Sequence, residues 1–447
     1  MSLIQIADNS RNKVPDSDKA SLLKIADIKI GELSLEDNPN LLVFPRDLHR
    51  YGDEISENCI ISMRNDEIST GNIMGFVGVN DTQLDIKSRF AKKDGEDYFL
   101  HYMLQKVFAI NLFDIKHTTR QEDIFDFLPY LFPHFLKKAL AQGLFKKYRR
   151  FEYNDANIRG PIDVNRHIRE NIPFRGTVAY STREHSYDNE VTQLVRHAIE
   201  YIRTKEHGAI ILNNDPETKS CITQITLATQ SYNVRERMKV INQNLRPIRH
   251  PYYSAYTDLQ NLCLRILRHE SLKYGQEKDK VYGVLFDGAW LWEEYLAIVL
   301  KEKYNHFTKK FGPKFWLFNH NNKNSQQIIP DYLSKDGTVV ADAKYIPLNK
   351  QLSYGENSEK ATAIYYKTIT YMYRFSTKIS YLFYPYPEDE SENIVEEFNI
   401  VETDAKLIKC GLKIPANCKT FLEFIQRVKD FEKIFLTSIP PSRFPAG

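Results

Sequence analysis

A chain of 447 residues has room for two or three domains, and its 42% apolar content, with 26 Phe and 27 Tyr, supplies sizeable cores and excludes global disorder. A formal net charge of +3 excludes a wholesale polyanion binder, so any contact with nucleic acid must come from local patches. The five scattered cysteines form no CxxC pair, the first 20 residues hold no apolar leader, and no run of 18 apolar residues is present. A cytoplasmic protein with free thiols and no membrane contact is expected.

In chain order, residues 1 to about 20 are polar and read as a frayed terminus. From Leu22 to Phe90, short apolar runs alternate with turns such as Asp53-Glu54 and Gly71-Asn72, and Ile73 to Ile86 reads as a hairpin with Asn80-Asp81 at its tip. A small β-rich domain is expected there. Helices are expected over 98–113 and 124–144, the second with Phe127, Leu128, Leu131, Phe132 and Phe135 at helical spacing. Residues 144–175 are the most basic part of the chain, with Lys146, Lys147, Arg149, Arg150, Arg159 and Arg166 set against Glu152, Asp155, Asp163 and Glu170. Such a run is either a contact surface for phosphates or an acidic partner, or a solvated helical arm neutralised by its own carboxylates. Further helices are expected over 189–205 and 256–272, loop and short strand over 213–233, and loops over 275–280 and 319–324.

The chemistry concentrates later. Ile328-Ile329-Pro330-Asp331 and Val339-Val340-Ala341-Asp342-Ala343-Lys344 flank the turn Lys335-Asp336-Gly337, a strong hairpin pattern. One strand is expected to end in Pro330-Asp331 and the next to carry Asp342 and Lys344, bringing two carboxylates and an ammonium together. Two carboxylates hold a divalent metal, Mg²⁺ or Mn²⁺, and a nearby ammonium stabilises a hydroxide or a pentacovalent phosphate. This is the PD-(D/E)xK arrangement of metal-dependent nucleases, although the triplet alone also fits an ordinary hairpin with solvated charges. The context favours the nuclease. Phe286 to Leu300 reads as an amphipathic helix from which Glu293 or Glu294 points toward the metal. A second helix is expected over 361–375 and a strand over 379–385, which completes the order helix, strand, strand, helix, strand. Asp331 and Asp342 are the expected metal ligands, with the Ala343 carbonyl and Glu293 completing the set, and Lys344 orients the attacking water.

On these residues the chain resembles the McrC family, the nuclease subunits of McrBC-type (5-methylcytosine) restriction systems. Leu291-Trp292-Glu293-Glu294-Tyr295 is similar to the family's Leu-Phe-Glu-x-Tyr, and Arg159-Gly160-Pro161-Ile162-Asp163 resembles its Arg-Gly-x-Ile-Asp. Asp85-Ile86-Lys87-Ser88-Arg89 resembles a strand ending in Ile-x-Pro-Lys, without keeping the proline and lysine order. Tyr366-Lys367-Thr368-Ile369-Thr370-Tyr371 departs from Tyr-Gln-x-x-x-Tyr by placing Lys367 at the glutamine. The resemblance implies a McrB-like AAA+ GTPase ring as partner, modified double-stranded DNA as substrate, and contact with the ring through Arg159, Asp163 and Arg166.

No Gly-x-x-x-x-Gly-Lys-[Ser/Thr], His-Glu-x-x-His or Gly-x-Ser-x-Gly occurs, so nucleotide hydrolysis, zinc proteolysis and serine hydrolysis lose support. The absent P-loop fits a nuclease driven by a separate motor. The expected architecture is α/β (α+β overall). A β-rich domain spans 1–110, a helical and basic segment that docks on the partner spans 111–275, and a nuclease domain with a mixed sheet flanked by helices spans 276–447. Two other readings stand beside it: a nuclease-fold assembly protein that has lost cleavage, and a stand-alone site-specific endonuclease.

Overall fold

The computed structural model describes residues 2–33, 38, 41–45, 57–80, 82–91, 96–108, 123–205, 208–213, 215–268, 281–307, 313, 315–346, 348, 356–388 and 395–439. The N-terminal segment runs β1 (Ser2–Ala7), β2 (Arg11–Lys13), α1 (Asp16–Leu22), β3 (Leu41–Phe44), β4 (Ile61–Arg64), β5 (Glu67–Thr70), β6 (Ile73–Val79), β7 (Thr82–Lys87) and α2 (Tyr98–Phe108). The first residues are not frayed as their polar composition suggests. β1 pairs in parallel with β7, and Ile4 and Ile6, two apart and therefore on one face, join the apolar cluster under the sheet. β6 and β7 form the expected hairpin, with Asn80 at φ 52 in its turn. Asp81 and the Asp53-Glu54 turn lie outside the described residues.

The middle segment carries α3 (Asp123–Leu140), β8 (Lys147–Asp155), α4 (Val164–Asn171), β9 (Val178–Ser186), α5 (Glu190–Arg203), α6 (Gly208–Leu212), α7 (Pro216–Ala228), α8 (Arg237–Gln243) and α9 (Ala255–Arg268). The basic run is not a helical arm. β8 pairs with β9 over nine residues, and α4 lies in the connection between them. Residues 213–233, read as loop and strand, contain α7 instead. Asp215 caps it by accepting from Thr218 N at 2.8 Å, and Pro216 sits in the first turn, where its missing N–H costs nothing. The ends of the helices expected over 98–113 and 256–272, and the loop at 275–280, fall outside the described residues.

The last segment runs β10 (Val281–Asp287), α10 (Gly288–Leu300), β11 (Tyr304–His306), β12 (Phe315–His320), β13 (Lys323–Ile328), β14 (Tyr332–Ser334), β15 (Val339–Ala343), α11 (Glu356–Phe375), β16 (Ile379–Pro387), β17 (Val395–Asn399), β18 (Lys406–Ile414) and α12 (Phe421–Ser438). The succession α10, β14, β15, α11, β16 follows the expected order, with β11 and the β12–β13 pair inserted before β14. Residues 319–324, read as a loop, are instead the strand ends and turn of that pair. The mixed sheet runs β11-β14-β15-β16-β18-β17, with β15, β16 and β18 parallel. α11 packs Tyr371 and Met372 on Val340. Trp292 of α10 donates to Phe383 O at 3.4 Å, and Phe435 of α12 packs on the Phe383 ring at 5.2 Å.

Two compact units result, Met1–Val107 with Gly275–Gly447, and Phe108–Tyr274. The three-domain reading separates the first and last segments, but β10 sits in the N-terminal sheet, whose order is β1-β7-β6-β10-β3. It is antiparallel to β6 and parallel to β3. Gly75 and Gly283 permit that close fit. Each has positive φ, and a Cβ would stand 2.1 Å from Val284 O at Gly75 and 2.3 Å from Phe76 O at Gly283. The five cysteines are unbridged, and no helix among the described residues is long and apolar enough to cross a membrane.

Candidate active site

The β14–β15 hairpin turns through Lys335–Thr338, where Asp336 accepts from Thr338 N at 3.1 Å and Gly337 adopts φ 72. Its first arm begins after Asp331 rather than ending there. Pro330 lacks the N–H that a ladder needs, so β13 stops at Ile328 and pairs back onto β12. Asp331 is nevertheless fixed at the open end of the hairpin: its Oδ2 accepts from Ala343 N at 2.8 Å, and its carbonyl accepts from Phe307 N at 3.1 Å.

Asp342 lies on β15 between β14 and β16, 2% exposed. Lys344, two residues on, shares its face and forms an ion pair with Asp342 Oδ2. From α11, Lys367 Nζ reaches Asp342 Oδ1 at 3.4 Å, with its ammonium 5.4 Å from the Tyr371 ring centre. The Tyr371 hydroxyl donates to Ile329 O at 2.7 Å, which ties α11 to the segment carrying Asp331. Asp331, Lys344, Lys367 and Tyr371 line one cleft of about 600 Å³.

The charges in this cleft are in tension. Desolvation and the facing Asp342 carboxylate push Asp331 well above the usual carboxylate range. Burial acts the same way on Asp342, but the Lys344 and Lys367 ammoniums outweigh it and hold that carboxyl down at about 2. Burial opposes both ammoniums, and Asp342 keeps both of their pKa values raised. The two carboxyls are thus shifted in opposite directions, and Asp342 is the one that both ammoniums face.

Glu293 lies on α10, whose first turn is capped by Asp287 accepting from Ala289 N at 2.7 Å. It lines the same cleft, but its Oε1 is held by His306 Nε2 at 2.8 Å. Burial disfavours a charged His306, yet Glu293 raises its pKa above the ordinary value. Among the described residues no three His, Cys, Asp or Glu side chains gather as a cation site, and the contact made by Glu293 is with His306. His306 and Lys367 are the site residues that the sequence reading did not assign. Lys367 had a visible signal, the Lys367–Tyr371 spacing that puts both on one helix face. His306 had none.

The residues expected to touch a partner lie in the other unit, and they are not equivalent. Arg166 is 12% exposed at its side chain and donates to Tyr153 O at 2.6 Å and Tyr180 O at 2.8 Å, besides pairing with Glu152 at 2.8 Å. It holds the β8–β9 pair together rather than standing free. Asp163 caps α4 by accepting from Arg166 N at 3.2 Å and also meets Arg150 at 3.3 Å. Arg159 is exposed and lies over the Tyr153 ring at 4.9 Å, its Nε donating to the Tyr180 hydroxyl at 3.2 Å. What the segment does present is apolar: Ile158, Ile162, Val164, Ile168, Ile172 and Phe174 are all exposed, Phe174 by 69%.

Compared with known families, residues 68–385 match the McrBC 5-methylcytosine restriction system component family, more than two thirds of the chain. No curated protein matches. Among solved structures, the chain is 17% identical to one in a refined half-complex from the tetradecameric assembly of Thermococcus gammatolerans McrB AAA+ hexamers with bound McrC. That likeness covers 98% of this chain and 100% of the other, with a TM-score of 0.47. It is 16% identical to a chain of the cryo-EM structure of the Thermococcus gammatolerans McrBC complex, over 68% of this chain and 90% of that one, with a TM-score of 0.32. Neither structural score is high enough to carry weight, and the family match stands without them.

Proposed function

The chain belongs to the McrBC 5-methylcytosine restriction system component family, and from that premise we propose that it is the metal-dependent DNA endonuclease subunit of a cytoplasmic, McrBC-like restriction complex. The observation that carries this is the convergence of Asp331, Asp342 and Lys344 at one end of a hairpin, with Asp331 and Lys344 lining a cleft and Asp342 buried behind them. The donor set fits a divalent cation of the Mg²⁺ or Mn²⁺ kind. Two adjoining carboxylates and the Ala343 carbonyl are hard oxygen donors, and Mg²⁺ typically takes one or two carboxylates beside water and substrate oxygens. When bound, the cation would acidify a water and neutralise charge on the scissile phosphate.

The chain's own groups do the rest. Asp331, held by Ala343 N, and Asp342, held within the sheet, fix the two carboxylates. Lys344 offers a buried ammonium beside them, placed to orient the nucleophile or to stabilise charge as it develops on phosphate. Lys367 adds a second positive charge on the same carboxylate, half-exposed to the cleft. Glu293 adds negative charge beside Asp331 from the same cleft and is itself held by His306.

With no P-loop in the sequence, translocation and selection of modified DNA belong to a partner, a McrB-like AAA+ GTPase ring whose hydrolysis this subunit stimulates. The exposed apolar row from Ile158 to Phe174 supports docking through this segment, since apolar side chains clustered in the open mark interaction sites. Arg159 and Asp163 belong to that surface, while Arg166 supports it from beneath.

Co-purification with the ring partner, followed by cleavage assays on methylated and unmethylated duplexes, tests the reading. Cleavage is expected only with the partner, hydrolysable nucleotide and Mg²⁺ together. Specific cutting by this chain and Mg²⁺ alone would make it a stand-alone endonuclease. Assembly without any cutting would make it an adaptor.

A further inference from the structure

Beside the catalytic cleft stands a feature that the hairpin chemistry does not use. β12 and β13 form a two-stranded ribbon that joins no other sheet among the described residues. Its base is firmly held. Phe315 and Leu317 pack into the apolar cluster of Val340, Tyr371 and Met372, and Arg374 of α11 donates to Trp316 O at 2.6 Å. From Phe318 to Gln327 every side chain is exposed on both faces. The tip is a two-residue turn, Asn321-Asn322, with φ 48 and 61, the left-handed pair whose twist suits a tight hairpin. A ribbon so exposed, so well anchored and so free of apolar side chains beyond Phe318 has no structural reason to project.

Its chemistry names the occupant. The ribbon carries Asn319, Asn321, Asn322, Asn324, Gln326 and Gln327, together with Lys323, and no carboxylate. The bias is wider than the ribbon: between Glu302 and Asp331 the sequence holds five lysines and not one Asp or Glu, in a chain with 58 acidic residues. Such a stretch meets phosphates without repulsion. Amide side chains pair with the edge of adenine, and lysine pairs with guanine O6 and N7. A two-stranded ribbon fits the major groove, about 12 Å wide, and not the minor groove, about 6 Å wide. Location closes the argument, because Leu317, Gln326 and Gln327 line the same cleft as Asp331 and Lys344. A duplex with its scissile phosphate at the two carboxylates therefore lies against the base of the ribbon. Six residues at about 3.3 Å each reach about 20 Å, and at about 3.4 Å per base pair that spans about six base pairs.

We propose that the β12–β13 ribbon enters the major groove of the duplex being cut and reads bases within about six base pairs of the cut. This rests on the endonuclease reading, and it assigns the choice of cut position to this subunit rather than to the motor alone.

The test uses the full chain assembled with its ring partner, comparing wild type with N319A/N324A and with K323A, all exposed positions outside the catalytic cluster. Guanines methylated at N7 are scattered through a duplex substrate. Interference is scored both on binding in EDTA and on cutting in Mg²⁺. Wild type is expected to show interference within about six base pairs of its cuts. N319A/N324A should lose it, raise KM about 10-fold, leave kcat within about twofold, and broaden the distribution of cut positions. Unchanged interference, KM and cut positions in both variants would overturn the proposal. So would loss of ring assembly in gel filtration, which would make the ribbon a protein contact. A wild type that binds with ribbon-dependent interference but never cuts would sink the endonuclease reading and leave the groove contact standing.

Discussion

The hairpin cleft and the basic segment around Arg159 are both dense in charge, and they use it in opposite ways. In the segment, several charges are answered locally: Arg166 by Glu152 and two carbonyls, Arg150 by Asp163, Lys147 by Glu190. These contacts hold the β8–β9 pair in shape. At the open end of the hairpin, two desolvated carboxyls face each other, and two ammoniums share one of them. Charge density alone marks neither a site nor a partner surface; unresolved conflict among desolvated charges does.

The largest effects should separate the two regions by what they damage. Asp331→Ala, Asp342→Ala and Lys344→Ala should each lower cleavage by the assembled complex about 10³-fold or more, since one preorganised electrostatic group alone is worth about 10²–10³. Thermal unfolding should be little changed for Asp331→Ala, because losing the acceptor for Ala343 N opposes the relief of a desolvated carboxyl beside Asp342. A variant that cuts at near wild-type rate would remove its residue from the chemistry. Lys367→Gln should fall between, slowing cleavage about 10-fold while leaving ring assembly intact, as the second of two ammoniums on one carboxylate. No effect would make Lys367 a bystander to Asp342.

In the basic segment the damage should fall on stability. Arg166→Ala strips donors from Tyr153 O and Tyr180 O and should cost on the order of 2 kcal/mol in denaturant unfolding, whereas Arg159→Ala should cost under about 0.5 kcal/mol. Equal costs would contradict the distinction between the two arginines.

A smaller effect concerns pH. His197, buried on α5 with neither ring nitrogen hydrogen-bonded among the described residues, stacks near Tyr232 at 4.7 Å. Burial, then Arg237 and Arg196 against the opposing pull of Glu236 and Glu200, lowers its pKa from 6.5 to about 4. The unfolded chain therefore takes up the proton first as pH falls. The stability is present above pH 6.5 and lost progressively down to about 4, on the order of 3 kcal/mol in all. His197→Phe should flatten that slope in unfolding curves taken between pH 7 and about 4.5. An unchanged slope would assign it elsewhere.

The catalytic triplet was legible because its signal is local: turn residues, β-branched flanks and a fixed spacing bring Asp331, Asp342 and Lys344 together within 14 residues. What was not legible depends on distant packing. That Lys367 touches Asp342 depends on how α11 lies on β15, and that β10 completes the N-terminal sheet depends on pairing with β6 about 200 residues earlier. α7 was missed although Asp215-Pro216 announced it, since its Thr-rich sequence has little apolar periodicity. Arg166 read as a surface charge because sequence does not reveal which arginine turns inward to carbonyls. The ribbon was mistaken for a loop because a strand exposed on both faces has no apolar alternation to read.

The central claim, that Asp331 and Asp342 jointly hold the cation with which DNA is cut, is tested most directly by titrating Mn²⁺ into the assembled complex on duplex DNA. Occupancy is followed by electron paramagnetic resonance and cleavage in the same samples. Wild type should bind Mn²⁺ at this site with cleavage rising in step with occupancy, and Asp331→Asn/Asp342→Asn should lose both together. Undiminished Mn²⁺ occupancy in the double variant, or cleavage that survives its loss, would contradict the account.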